Sequence, residues 1–310
     1  MKGGPNPLWF GPLCASAAVL CFAVNDVVMK GFSETHALHQ VILFRATFGL
    51  TILLAVIIPI TSGYRALVTA RWRMHLARGG CIVFANTTFF LGLAALPLAD
   101  TVAIFFISPL VITLFSVIFL RESVGVRRWV AIAVGLVGVL IMMRPGTTAF
   151  QWAAFFPLMA AFGYAGIHII ARKIGGTESA ATMSFYLQAT FFVVSICMGL
   201  AVGHGGFDQP DDPSLSFLLR PWAWPSLVDF YFFLLLGLAT AFGGWLISKA
   251  YSIAEASLVA PVEYLALPIS VVAGMLVFDE YPDRIATLGI ALILAAGLYM
   301  VWRERAATRL

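Results

Sequence analysis

Long apolar runs alternate with short polar separators from one end of the chain to the other. Stretches of about 17–25 apolar residues supply enough helix to cross about 30 Å of hydrocarbon at about 1.5 Å per residue. Ten such stretches occur, at roughly 8–29, 38–60, 78–96, 99–120, 127–143, 152–171, 181–202, 229–248, 254–278 and 284–302. The first is long for a cleavable signal, which has a shorter apolar core and a small-residue cleavage site, so it predicts a retained membrane helix. The shortest separator is Leu96-Pro97-Leu98-Ala99-Asp100, where a proline and an acid predict a tight turn. The pattern therefore predicts an all-α membrane protein of ten transmembrane helices, since an open chain in lipid satisfies its own backbone hydrogen bonds only as helix.

Composition agrees. Hydrophobic residues are 61% of the 310 and charged residues 11%, against about 25% charged in a soluble domain. The lipid bilayer is thus the expected partner for most of the surface. The net charge of +4 has no basic patch interleaved with aromatics, and no nucleic-acid partner is expected. With the N-terminus placed in the cytoplasm, fourteen of the nineteen Lys and Arg fall in cytoplasmic segments, Arg78 among them. Four fall outside, and Arg45 lies within a span. That bias predicts both termini inside. The longest separator, about 203–228, falls outside. Its Asp208, Asp211, Asp212 and prolines predict an irregular cap, with Trp222 and Trp224 at the interface.

Catalytic and cofactor chemistry finds little support. Cys14, Cys21, Cys81 and Cys197 lie in apolar runs with no metal-ligand spacing, and the five histidines are dispersed. H-E-x-x-H and G-x-S-x-G motifs are absent, as is a P-loop, so no cofactor, no metal and no ATP motor are expected. A membrane-embedded transferase would need such a cluster, and a channel would need rings of like residues about an axis.

An internal repeat carries more information. The segment from Ala99 and the segment from Ala254 each begin with an acid, Asp100 or Glu255, before a long span. Prolines interrupt the spans, Pro109 in one and Pro261 with Pro268 in the other. The spans end Phe119-Leu120-Arg121-Glu122 and Val277-Phe278-Asp279-Glu280, and a Gly-rich span ending in Arg follows each. These are the fourth and fifth helices and the ninth and tenth. The chain therefore divides into two five-helix repeats, 1–150 and 151–310, forming one transmembrane unit. Five is odd, so the repeats have opposite topology. Inverted repeats are characteristic of secondary transporters, with the substrate site near the midplane between them.

In these residues the chain resembles the EamA-type transporters of the drug/metabolite transporter superfamily. The likeness rests on Asn25, Phe44-Arg45, Ser108-Pro109, Leu120-Arg121-Glu122, Ala260-Pro261 and Phe278-Asp279-Glu280. It implies two inverted five-helix repeats around a central cavity, alternating access, a bacterial inner-membrane location, and a role for Arg45. The family pattern has Gly before each Glu, where this chain has Arg121 and Asp279.

Ionisable groups inside a span cost about 2.5–3.5 kcal/mol to insert and persist where they meet water, a partner or a substrate. Glu263, with Tyr264 beside it, follows Pro261 near the middle of the ninth span, where a broken helix frees carbonyls. It is a candidate for substrate or proton binding. Arg45 and Asp26 lie near the outer ends of their spans and could pair as a clamp, a gate or a substrate contact. Tyr164 and His168 share one helix face at i, i+4, as do Ser184 and Gln188. Asn86 and Ser108 add polar groups. The candidate substrate-binding set is thus Glu263, Tyr264, Arg45, Asn86, Tyr164, His168, Ser184 and Gln188. Asp26, Arg45, Glu263, Pro109 and Pro261 are the candidates for coupling or gating. Acids together with an arginine suit an amino acid or a related zwitterion or cation as the small-molecule substrate, with protons as a candidate coupling ion.

Overall fold

The structure, a computed structural model, describes residues 7–61, 63–121, 125–147, 151–174, 178–253 and 262–308. Among these residues all regular structure is helical. The helices are α1 (Pro7–Phe32), α2 (Leu38–Thr61), α3 (Trp72–Ala95), α4 (Leu98–Phe105), α5 (Ser108–Leu120) and α6 (Val126–Met143). They continue as α7 (Phe155–Ile174), α8 (Ala180–Val202), α9 (Pro213–Leu219), α10 (Leu227–Ile253), α11 (Ala266–Phe278) and α12 (Arg284–Thr308). Among the described residues seven helices, counting α4 with α5 as one, are long and apolar enough to cross a membrane. Three shorter apolar helices lie within α6, α11 and α12.

The separator at Pro97 is a turn, as its residues predict: α3 ends at Ala95 and α4 starts at Leu98. Two expectations need correction. The third span begins earlier than its apolar run, at Trp72. Arg78 therefore lies inside a helix rather than in a loop, buried, with Nη1 donating to the Met183 carbonyl at 3.2 Å. Its charge is thus satisfied within the bundle, about a turn and a half into the helix. The separator at 203–228 is also not wholly irregular. It contains α9, whose first turn is capped by Asp212 accepting from Leu215 N at 3.0 Å and whose Phe217 is fully buried.

Both broken spans share one plan. A two-residue turn at Phe106–Ile107 separates α4 from α5, and a turn at Tyr264–Leu265 precedes α11. Each following half-helix has 13 residues. Each ends on a left-handed residue, Arg121 at φ 57° and Asp279 at φ 55°. Such a conformation costs a residue with a Cβ roughly 1–2 kcal/mol. The backbone corner is thus kept where the family pattern has the glycine that adopts it freely.

Packing pairs the early helices with the late ones. α1 packs on α10 and α11, α3 on α7 and α8, α2 on α8 and α10, α4 on α11, and α6 on α12. Between α6 and α12 the backbones approach closely, for a Cβ at Gly138 would sit 3.1 Å from the Gly289 carbonyl. Glycines of this kind let the two helix backbones meet and serve the scaffold.

One end of the bundle is closed by polar groups. Lys30 Nζ donates to the carbonyls of Leu93 (3.2 Å) and Leu96 (2.6 Å) and pairs with Glu280 at 2.9 Å. Glu280 also accepts from Leu98 N at 2.8 Å, capping α4. Nearby, Gln40 exchanges two hydrogen bonds with the Ala223 backbone, and Arg220 donates to the Ser33 carbonyl. Arg144 pairs with Asp283 at the surface, where such a bond contributes about 0–1 kcal/mol.

His36 belongs to this cap. It touches Thr35 Oγ1 at 2.9 Å, the Phe32 and Phe233 rings, and Asp229 at 3.6 Å. Burial holds its imidazole below the ordinary 6.5, against the pull of Asp229 and with a smaller push from Arg220. The unfolded chain therefore takes up a proton that the folded chain refuses. Stability from this site is full above about pH 6.5 and falls as the pH drops below it. Thermal unfolding should give a lower Tm at about pH 5.5 than at about pH 7.5. The difference should shrink in His36→Gln.

Candidate substrate site

Arg45 stands about two turns into α2, only 3% exposed. Its guanidinium donates from Nη2 to Asn86 Oδ1 at 2.8 Å and from Nη1 to Asn25 Oδ1 at 3.3 Å. Two rings flank it, Phe191 at 5.0 Å and Phe90 at 5.6 Å from Cζ. Its Nε–H is buried without a partner. Among the described residues no carboxylate forms an ion pair with it. Asp26 is reached through a relay, Asn25 Nδ2 donating to Asp26 Oδ1 at 3.0 Å. The pairing expected between Arg45 and Asp26 is therefore indirect, and Asn25 is the hinge of the cluster.

An aromatic chain leads from this cation toward the second half of the molecule. Phe90 touches Phe89 at 5.4 Å, Phe89 touches Phe105 at 5.1 Å, and Phe105 touches Tyr164 at 5.2 Å. Phe105 also meets Phe106, whose ring lies 5.3 Å from Tyr264. The two helix breaks thus touch each other through Phe106 and Tyr264. Tyr264 is buried, its ring against Gly297 where no side chain fits. Tyr164 and His168 do share a face, with ring centroids 4.5 Å apart. Glu263, half-buried in the turn before the second break, is near enough to act electrostatically on Tyr164, and Arg78 acts likewise on His168.

Gln188 is half-buried on α8, its Nε2 lying 3.5 Å from Thr240 Oγ1 and against Gly49. Ser184 is one turn away on the same face and follows Met183, whose carbonyl holds Arg78. Pro109 opens α5 just after the first break, and its carbonyl accepts from Thr113 at 3.0 Å. Pro261 lies outside the described residues.

The structure therefore brings Arg45, Asn86 and Asp26 into one cluster, and Tyr164, His168, Glu263 and Tyr264 into a second one joined to it by phenylalanines. Ser184 and Gln188 flank them. Asn25, Phe90, Phe191 and Thr240 complete the arrangement and are absent from the sequence-derived set. Asn25 is already among the residues that carry the family likeness, and that likeness is the signal that marks it. The phenylalanines have no signal that separates them from the many that face lipid. Chemically, the arrangement offers a buried cation with open donors, flat apolar rings, and two acids at separate points.

Known proteins share this arrangement of sequence. A model described as the EamA-like transporter family matches residues 9–144. An S-adenosylmethionine uptake transporter of Rickettsia bellii is 30% identical, over 92% of this chain and 91% of its own. A riboflavin transporter of Vibrio cholerae is 30% identical, over 96% and 95%. A crystal structure at 16% identity covers 96% of this chain and 98% of its own with a TM-score of 0.65, and so shares the fold. Because these sequence relatives match along nearly its whole length, the chain belongs to the EamA-like transporters of the drug/metabolite transporter superfamily, and it is a multi-pass membrane transporter of small molecules, not an enzyme.

Proposed function

We propose that this protein is a secondary transporter that moves an amino acid or related zwitterion or cation across the bacterial inner membrane by alternating access. The observation that carries this reading is Arg45. A buried guanidinium hydrogen-bonded to two neutral carboxamides and flanked by two rings, with Asp26 acting on it only through space and Nε–H unpartnered, suits an incoming anion. A carboxylate there gains charge-assisted hydrogen bonds, which are about twice as strong as neutral ones.

The architecture proposed is ten helices as two inverted repeats, 1–150 and 151–310, with both termini cytoplasmic. Seven long and three shorter apolar helices support it. So do the matched half-helices and their left-handed ends, and the packing of early helices on late ones. On this topology the Lys30–Glu280 end is the outer face, and the closed state is one with the outer gate shut.

S-adenosylmethionine fits the site's chemistry best among the substrates of the relatives. It has a carboxylate for Arg45, a flat adenine ring for the aromatic chain, and positive charge for Asp26 or Glu263. Riboflavin is the second reading, favoured by the aromatic chain alone. Glu263, beside the helix break, is the group assigned to proton coupling. The test is uptake of labelled S-adenosylmethionine and of labelled riboflavin into vesicles holding the purified protein. Saturable uptake of the first, competed by methionine, is expected. Uptake of riboflavin alone would replace the zwitterion reading, and uptake unchanged by collapse of the proton gradient would remove coupling.

A further inference from the structure

The internal repeat extends beyond the broken spans. Phe44-Arg45-Ala46-Thr47-Phe48 of α2 corresponds to Leu187-Gln188-Ala189-Thr190-Phe191 of α8. Phe84-Ala85-Asn86-Thr87 of α3 corresponds to Leu238-Ala239-Thr240-Ala241 of α10. In this register Arg45 matches Gln188 and Asn86 matches Thr240.

The structure joins the same partners in both halves. Arg45 Nη2 donates to Asn86 Oδ1 at 2.8 Å, and Gln188 Nε2 faces Thr240 Oγ1 at 3.5 Å. Thr240 gives its own hydroxyl proton to the Leu236 carbonyl at 2.9 Å, which leaves its oxygen as the acceptor, the role of the Asn86 oxygen. The two pairs are neighbours. Phe191 lies against Arg45, and Gln188 lies against Gly49, so residue numbers fall on α8 as they rise on α2. The helices are antiparallel there, and the backbone positions of Arg45 and Gln188 are offset by about one turn, roughly 5 Å along the helix axis.

We propose that Gln188 with Thr240 is the uncharged second half of the substrate site, and that residue 188 sets how many anionic groups the carrier accepts. With Gln188 the site has one guanidinium and takes one carboxylate, while its other half donates an amide N–H to a neutral polar group. With arginine at 188 it would hold two guanidiniums one turn apart and take a dicarboxylate. This inference rests on the reading of Arg45 as an anion-binding group.

The probe is glutarate, whose carboxylates are separated by about one helical turn. Purified wild-type protein and Gln188→Arg are unfolded thermally with and without it. The expected result is a rise of at most about 1 °C in wild type, which can hold one of the two carboxylates, and of about 3 °C or more in Gln188→Arg. A folded Gln188→Arg that glutarate does not stabilise, or a wild type stabilised equally, overturns the inference. Should Gln188→Arg not fold, Gln188→Cys is made with Cys14, Cys21, Cys81 and Cys197 replaced by Ala. Its reaction rates with an anionic and a cationic methanethiosulfonate are then measured. The anionic reagent is expected to slow about tenfold or more when Arg45→Gln is added, and the cationic reagent to speed up. No reaction with either reagent, or rates indifferent to Arg45, overturns the inference. Failure of the Arg45 reading itself looks different, since Arg45→Gln would then leave stabilisation of the wild-type background by S-adenosylmethionine unchanged.

Discussion

Arg45→Lys is expected to weaken binding of a carboxylate substrate by roughly 10- to 100-fold while the protein still folds. The reason lies in geometry more than in charge. A guanidinium reaches Asn25 and Asn86 with separate nitrogens and keeps further N–H groups for a ligand. An ammonium has three donors on one atom and no plane to lie between Phe90 and Phe191. One charge-assisted hydrogen bond lost corresponds to about 1.5–3 kcal/mol, which sets the range. Ligand-dependent thermal shifts on wild type, Arg45→Lys and Arg45→Gln check it. A lysine variant that binds as tightly as wild type would show that only net charge matters at this position.

The second large effect belongs to the other end of the bundle. Lys30 joins the carbonyl end of α3 to Glu280, with side-chain exposures of 11% and 23% for the pair. Removing one partner of a largely buried pair costs about 3–5 kcal/mol, because the other charge is left behind. Lys30→Met strips Leu93, Leu96 and Glu280 of a donor at once. Glu280→Gln retains an oxygen able to accept from Leu98 N. Lys30→Met should therefore lower Tm markedly, and Glu280→Gln by less than half as much. Differential scanning of the three proteins in one detergent makes the comparison. Equal losses would mean that the ion pair, and not the carbonyl contacts, carries the stability.

These sites differ in how far they could be read from sequence. Span positions follow from apolar run length, which the bilayer imposes directly, so even the narrow separator at Pro97 was legible. The punctuation around the two half-helices, a proline and a terminal acid, is legible because it has backbone consequences: a turn before each half-helix and a left-handed end after it. Arg78 was misread because a charge beside an apolar run resembles a loop charge until a distant carbonyl, Met183 O, is known to meet it. Arg45 could be singled out by its cost in a span, yet its partners could not. Asn25 and Asn86 are twenty and forty-one residues away, and only packing decides which of the nearby polar groups it meets. Thr240 sat in an apolar run with nothing to mark it until the repeat was carried into α3 and α10.

The second helix break has a mechanical consequence. Tyr264 and Leu265 form a short pivot beside the aromatic chain, and α11 runs rigidly from that pivot to Asp279, with Glu280 at its tip. Thirteen residues make a lever of about 20 Å. A rotation of about 10° at the pivot would carry the tip about 3 Å, enough to roughly double the 2.9 Å separation of Lys30 and Glu280. A small turn of α11 at its central end would thus be amplified into a broken contact at its far end.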